Sequence, residues 1–251
     1  MKIRNLTVFA LTAIAALSTF SCSSTKAESG KSPLKELKLE LTANPTTGYS
    51  WEYSLETEGI VSVKENATYL GSEGMVGAPS LFEYTVKAVK DGQTKLTFVN
   101  RRSFEENSTI EQREYQILVK NGKIYAEGNI EGSWRLTDFT KNGDSQKICA
   151  VELGLQKNNE GLSVYGEGGV NVFNGTISLS GNLASDLGGF AMTKMMGPKD
   201  EVEFEDLYIQ LFNGNFTMIP FVKDGKQALS VTNLKNGLSA VYSYEGPVLV
   251  K

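Results

Sequence analysis

The chain of 251 residues contains no histidine. This absence excludes Ser-His-Asp and Cys-His catalysis, and it excludes zinc sites that need an imidazole ligand. Hydrolysis by a pair of carboxylates stays chemically open, because the sequence has 29 Asp and Glu residues. No two of these acids form a recognisable catalytic motif. We therefore predict a protein that is not an enzyme and that uses no cofactor, no metal and no small-molecule substrate.

Cysteine is also scarce, since only Cys22 and Cys149 are present. Cys22 belongs to the N-terminal segment discussed below, which leaves Cys149 without an internal disulfide partner. Hydrophobic cores must then hold the fold, even in an oxidising compartment. Because Cys149 lies between Ile148 and Ala150, we predict a buried and inert side chain.

Clusters of basic residues are missing as well. The sequence has 25 Lys and Arg residues against its 29 acids, a formal net charge of -4. A mildly acidic chain without basic patches lacks the electrostatic footprint of a nucleic-acid-binding protein. We predict that the partners do not include nucleic acid.

No apolar run is long enough for a membrane span, but a short one from Leu6 to Leu17 follows Lys2 and Arg4. This pattern predicts a secretory signal peptide over residues 1–21. Cys22 follows small residues and resembles the lipidated cysteine of a bacterial lipobox, with a flexible tether completing the segment 22–33. We expect export across the inner membrane and lipid anchoring in the bacterial cell envelope, at the outer membrane. Plain cleavage near Ser21, leaving a free cysteine, is the alternative.

The remaining sequence predicts a mostly β protein, with 25 Gly residues and frequent Asn-Gly or Asp-Gly turns. Period-two alternation, as at Leu37, Leu39 and Leu41, predicts an immunoglobulin-like β-sandwich over residues 34–120. A linker over 121–129 and a small β-barrel or meander domain over 130–251 follow. The second domain is expected to contain one amphipathic helix within 200–212, with these residues on its apolar face: Phe204, Leu207, Tyr208 and Leu211.

The segment between the first two predicted strands has the features of a stiff, exposed loop. Pro45 fixes its own φ, Gly48 can adopt the positive φ of a tight turn, and Asn44 can bond the backbone ahead of it. The tip of the loop is then Thr46-Thr47. Rigid loops on a β-scaffold are typical binding elements.

This segment, Asn44-Pro45-Thr46-Thr47-Gly48-Tyr49, resembles the signature loop of the chagasin-like inhibitors of papain-type cysteine proteases. That family has two further loops, a glycine-rich loop and a loop with an Arg-Pro-Trp motif. Their counterparts lie at the expected places here, at 74–79 and at 102–104. The resemblance covers residues 34–120. It implies that the chain contacts a papain-like protease through these residues: Asn44, Pro45, Thr46, Thr47, Gly48, Tyr49, Gly77, Ala78, Pro79, Arg102, Ser103 and Phe104.

The implied mechanism is occlusion of the protease cleft by a wedge of three loops. Thr46-Thr47 would face the catalytic cysteine, the Gly77 loop would lie along the non-primed side, and the Arg102 loop would reach the primed side. Ser103 replaces the family's proline and Phe104 its tryptophan, so we expect weaker or differently selective inhibition. The alternative is a non-inhibitory envelope lipoprotein, in which the loops merely join strands and both domains serve binding, adhesion or stress tolerance.

The second half resembles the META domain, on the basis of Trp134, the segment 166–175 and the segment 192–198. Family members usually carry cysteines at the positions of Val170 and Gly197, and both are absent here, as expected for a contacting pair. We interpret the glycines of 166–175 as turn and packing positions rather than a nucleotide loop. Three methionines, Met192, Met195 and Met196, are interpreted as core filler rather than metal ligands.

Overall fold

The structure is a computed structural model that describes residues 34–72, 77–159, 161–185 and 187–248. The predicted signal peptide, Cys22 and the tether lie outside these residues. The described residues belong to one compact unit. None of the helices within these ranges combines the length and the apolar character that crossing a membrane requires.

The first half consists of two sheets that face each other. Its strands are β1 (Glu36–Ala43), β2 (Tyr49–Leu55), β3 (Val61–Tyr69), β4 (Ser80–Ala88), β5 (Gly92–Arg102), β6 (Glu111–Lys120) and β7 (Lys123–Glu127). One sheet has the antiparallel order β1-β4-β3. The other has the antiparallel order β2-β5-β6-β7. The immunoglobulin-like sandwich predicted from the sequence is confirmed.

Period-two alternation explains this sandwich. Leu37, Leu39 and Leu41 of β1 are almost fully buried, as their spacing predicts, and the polar residues between them face outward. The edge strand β2 departs from the pattern, because Trp51 is buried whereas Tyr53 is 43% exposed. The largely exposed strand β3 carries little apolar alternation, so it was not predicted from the sequence.

The second half is a curved antiparallel sheet with one helix against one face. Its elements are β8 (Gly132–Lys141), β9 (Asp144–Ser145), β10 (Glu152–Asn158), β11 (Gly161–Glu167), β12 (Val172–Ile177), β13 (Leu179–Ser180), β14 (Leu183–Ala184), β15 (Gly188–Met192), α1 (Lys199–Ile209), β16 (Phe216–Lys223), β17 (Lys226–Asn233) and β18 (Leu238–Gly246). The main order is β15-β12-β11-β10-β8-β18-β17-β16. Within the described residues this sheet is not closed, so of the two forms predicted, barrel or meander, the meander is found.

Helix α1 and the 3-10 turn that follows it (Gln210–Phe212) occupy the segment predicted to be helical. Phe204, Tyr208 and Leu211 are buried on the predicted face and join the second-half core. Glu205 is buried too, at 2% exposure, and its carboxylate accepts hydrogen bonds from Val170 N at 3.2 Å and Asn171 N at 2.6 Å. The glycine-rich segment therefore closes onto the helix, as the interpretation of those glycines as packing positions requires.

The two halves join through strand β16, whose two faces are both buried. Phe216 and Met218 point into the second-half core, whereas Ile219 and Phe221 point into the core of the sandwich. At its end β16 also pairs with β6, at Val222↔Glu114 and Lys223↔Arg113. The sandwich thus covers the face of β16–β18 that α1 leaves free.

The segment 121–129, expected as a linker, contains strand β7, which pairs with β6 over five residues. The buried Asn182 fixes it from the second half, accepting from Ala126 N at 2.7 Å and donating to Ala126 O at 2.9 Å. The prediction of a buried Cys149 is only partly met, because its side chain is half-buried against the second-half core. The assignment of the methionines is wrong for Met195 and Met196, which are 55% and 100% exposed.

Candidate functional site

Three loops lie together at one end of the sandwich. Loop 1 (44–48) joins β1 to β2, loop 2 (70–79) joins β3 to β4, and loop 3 (103–110) joins β5 to β6. The strand registers place their ends side by side: Ala43 and Tyr69 both pair with Ser80, and Tyr49 pairs with Arg102. The topology therefore brings the three sequence-predicted segments to one edge. Residues 73–76 of loop 2 lie outside the described residues.

Loop 1 is a single 3-10 turn held by its own side chains. The Asn44 carboxamide oxygen accepts from Thr46 N at 3.2 Å and from the Thr46 hydroxyl at 2.5 Å. The Thr47 hydroxyl donates to Asn44 O at 2.7 Å, and Gly48 ends the turn with φ +85°. A residue with a Cβ would be strained at that φ. The sequence correctly predicted the roles of Asn44 and Gly48 but not the hydrogen bonds of the two threonine hydroxyls, and the tip at Pro45, Thr46 and Thr47 is exposed.

Loop 1 is bonded to both neighbouring loops. The Asn44 side-chain nitrogen donates to Gly77 O of loop 2 at 2.7 Å. From the end of β5, Arg102 Nε donates to Thr47 O at 3.0 Å, and its guanidinium lies 4.6 Å from the centre of the Tyr49 ring. These contacts connect residues that are 33 and 55 positions apart in sequence. The three loops consequently form one surface that hydrogen bonds hold together.

Loop 3 is ordered by a residue that the sequence did not single out. Ser108 is buried, and its hydroxyl donates to Arg102 O at 2.9 Å or Glu105 O at 2.8 Å while accepting from Arg102 N at 3.0 Å. A lone serine gives no sequence signal for such a role. Ser103 and Phe104 are exposed at the turn, and Phe104 is 77% exposed. The Phe104 ring covers Gly48, where an added Cβ would approach it to 2.9 Å.

In loop 2, Gly77 is exposed with φ +92°, Ala78 is buried, and Pro79 O accepts from Leu70 N at 3.0 Å. The positive φ at Gly77 turns its carbonyl toward Asn44. These contacts anchor the last residues of loop 2 beside loop 1. The predicted residues Gly77, Ala78 and Pro79 thus belong to the same end of the molecule, with Ala78 serving the packing below the surface.

Charge in the site is paired rather than concentrated. Arg101 contacts Glu52 at 2.6 Å, and Arg102 contacts Glu105 at 2.8 Å. The hydrogen bond that the Arg102 guanidinium donates to Glu105 raises the pKa of Arg102. No group of three potential metal ligands occurs among the described residues. The arrangement offers hydroxyls, backbone groups and one exposed ring, which suits binding and occlusion.

Comparison with known proteins agrees with this geometry. Residues 34–119 match the family model of the chagasin family peptidase inhibitors (I42). Amoebiasin-2 of Entamoeba histolytica is 31% identical over 87 residues, which cover 34% of this chain and 70% of that relative. The chain belongs to the chagasin family. This membership agrees with the prediction that the chain is not an enzyme.

A solved structure, that of the cysteine protease inhibitor EhICP2 from Entamoeba histolytica, is 27% identical to this chain. The match covers 34% of this chain and 78% of that one, with a TM-score of 0.30. Residues 128–247 match the META domain model, which confirms the second resemblance. The chagasin-family region therefore carries the three loops, and the META domain follows it.

Proposed function

We propose that this protein is a lipid-anchored inhibitor of papain-like cysteine proteases that blocks the active-site cleft with loops 1, 2 and 3. The observation that carries this proposal is the bonding of loop 1 to both neighbours, through Asn44 to Gly77 O and through Arg102 to Thr47 O. A surface whose loops are fixed before binding loses little conformational entropy when it docks. Standard protease–inhibitor interfaces of about 1,600 Å² reach tight affinity on that basis.

In the proposed complex, Thr46 and Thr47 face the catalytic cysteine. In this mode the inhibitor blocks the cleft without any chemical step of its own, so inhibition is by exclusion of substrate. Gly77 presents backbone groups toward the non-primed side, where the absence of a side chain permits close approach. Phe104 reaches the primed side. Burial of an exposed aromatic ring is a common source of hot-spot energy in interfaces.

The replacement of the family's proline by Ser103 need not loosen loop 3. Ser108 bonds both ends of the turn at Arg102 and Glu105, and Glu105 N donates to Arg102 O at 3.2 Å. These bonds restrict the same backbone that a proline would stiffen. The smaller ring of Phe104 changes the contact area at the primed side, and we propose that it changes selectivity between proteases.

The proposed location is the bacterial cell envelope, with the signal peptide removed and the lipid on Cys22. The tether of residues 23–33 would separate the inhibitory loops from the membrane. Labelling with a radioactive fatty acid and comparison with the Cys22→Ala variant test this part independently of inhibition. Loss of both the label and membrane association in that variant is expected; retention of membrane association would contradict the anchor.

Titration of residues 23–251 against a panel of papain-like proteases tests the inhibitory function. We expect stoichiometric loss of peptidase activity for at least one enzyme. The double substitution Thr46→Glu/Thr47→Glu should abolish this effect and leave the unfolding temperature nearly unchanged, because both side chains are exposed. The matched control Ser54→Glu/Ser62→Glu adds the same charges to exposed positions at the far end of the sandwich. Absence of inhibition across the panel at micromolar protein would refute the proposal.

A further inference from the structure

The META-domain sheet has one face that is covered only in part. Strands β16–β18 are covered on this face by the sandwich, through Ile219, Phe221, Ala228 and Val241. Strands β10, β11, β12 and β15, at the other end of the same sheet, have no such cover among the described residues. A groove of about 690 Å³ lies there, within the size range of small-ligand and peptide sites.

The groove is built from two neighbouring cross-strand rows. In the first row, Tyr165 pairs with Gly154 on one side and Asn174 on the other. The Tyr165 ring lies directly over Gly154, where any Cβ would overlap it. Small residues therefore surround a flat aromatic surface, which is 39% exposed. The row continues to Ala191 of the edge strand β15.

The second row carries the charge. Glu152 pairs directly with Glu167, and Glu167 pairs with Val172, whose side chain is 50% exposed. Like charges placed opposite each other on adjacent strands are unfavourable unless a cation separates them. Arg135 supplies part of the compensating positive charge, because its guanidinium lies 3.7 Å from Glu152 and 3.2 Å from Glu245. Within the described ranges, Glu167 has no cationic partner at ion-pair distance.

We propose that this groove binds an extended peptide segment that presents an arginine or lysine next to apolar side chains. The cationic head lies beside Glu167 and Glu152, and its aliphatic stem lies on the ring of Tyr165. An aromatic face attracts a cation, and paired carboxylates favour the charged donors of Arg and Lys. Arg135 shows that this corner already accepts a guanidinium. Apolar neighbours of the bound cation would contact Val172 and Ala191.

Strand β15 adds a second feature that suits an extended ligand. It is the last strand of its sheet, and its sequence GGFAM has neither charge nor proline to prevent pairing. A register shift between Asn174 and Thr176 disturbs its start, whereas Phe173↔Met192 and Asn174↔Ala191 stay regular. The backbone groups of alternate residues in β15 point away from β12, and these are the ones placed to pair with a bound segment.

The test uses isotope-labelled residues 23–251, which include every described residue, and three capped heptapeptides. One alternates Val and Arg, one alternates Val and Glu, and one alternates Gly and Arg. With the Val-Arg peptide we expect saturable shifts of the amide signals of Gly154, Tyr165, Glu167 and Val172. The Val-Glu peptide should give none, and the Gly-Arg peptide should bind several-fold more weakly because it lacks the apolar contacts.

The variant Glu152→Gln/Glu167→Gln removes the charges and the repulsion together, so it is expected to fold. Its affinity for the Val-Arg peptide should fall at least about tenfold. Glu58→Gln, at an exposed position in the turn between β2 and β3, is the matched control and should bind like the original chain. The proposal is overturned if the double variant binds equally well, if the Val-Glu peptide binds equally well, or if no peptide gives saturable shifts in this region.

Discussion

The two hydrophobic cores of this protein differ in whether they contain residues from the other half of the chain. Every buried residue of the META-domain core comes from residues 134–242. The core of the chagasin-family domain includes four residues of the META domain: Ile219, Phe221, Ala228 and Val241. The two cores therefore depend on each other unequally, although removal of the sandwich would also uncover these four side chains. The inhibitory domain completes its core on the META domain, whereas the META domain buries its own core without help.

Separation of the two halves should have the largest effect on stability. Residues 34–127 alone would expose the surfaces of Tyr115 and Ala126, which are almost fully buried in the full chain and contact the META domain. We expect a large decrease of the unfolding temperature for this fragment. The fragment 128–248 should keep a cooperative transition with a smaller decrease, because it loses the cover of four outer side chains but keeps its own core. Thermal unfolding followed by circular dichroism measures both. An equal loss of stability in the two fragments would contradict this unequal dependence.

Substitutions on the two faces of β16 test the same point within the full chain. The Phe221 ring stacks on Tyr115 with centroids 5.1 Å apart, and Phe216 contacts Phe212 inside the META-domain core at 5.6 Å. Phe221→Ala and Phe216→Ala should each cost about 3–5 kcal/mol, because each leaves a cavity.

Hydrogen exchange resolved along the chain distinguishes these two variants. Phe221→Ala should speed exchange in β5 and β6, and Phe216→Ala should speed it in β16–β18 and around α1. Each substitution serves as the control for the other. If both change exchange in the same strands, the two faces of β16 do not belong to separate cores.

A designed disulfide should strengthen the self-contained half alone. A Cβ placed at Gly197 would lie 3.3 Å from the Val170 Cβ, close to the spacing of bonded cysteines. The contact predicted between these two positions is thus present. Val170→Cys/Gly197→Cys should gain about 3 kcal/mol under oxidising conditions and lose this gain on reduction. Unfolding with and without reductant measures it, and protease inhibition should not change. Failure of the two thiols to oxidise would contradict the contact.

The smallest of these effects is expected at the junction itself. Asn182 bonds both backbone groups of Ala126 and also donates to Met218 O at 3.0 Å. Asn182→Ala leaves buried backbone groups without partners and should cost about 1–3 kcal/mol. Chemical denaturation measures the loss. Asn215→Ala, at an exposed position in the same half, is the comparison variant and should cost less. A neutral Asn182→Ala would show that β7 does not depend on this side chain.

Local chemistry made much of the site predictable. Pro45, Gly48 and Asn44 determine the 3-10 turn of loop 1 within five consecutive positions, so the sequence contains all the information that the turn needs. The burial of Leu37, Leu39 and Leu41 follows from period two for the same reason. Strand β3 escaped prediction because an exposed edge strand needs no apolar alternation. The exposure of Met195 and Met196 was not predicted, because hydropathy alone does not show whether a connecting segment packs against the sheet or lies in solvent.

By itself, the sequence determined the two β-rich halves, the amphipathic helix, the conformation of loop 1 and the exclusion of histidine chemistry, since each depends on residue type or on contacts a few positions apart. The contacts of Asn44 with Gly77 and of Arg102 with Thr47 depend on the tertiary structure. The tertiary structure also decided that β16 serves two cores. These contacts join residues that are distant along the chain, and their pairing depends on strand order and register, which local patterns do not specify.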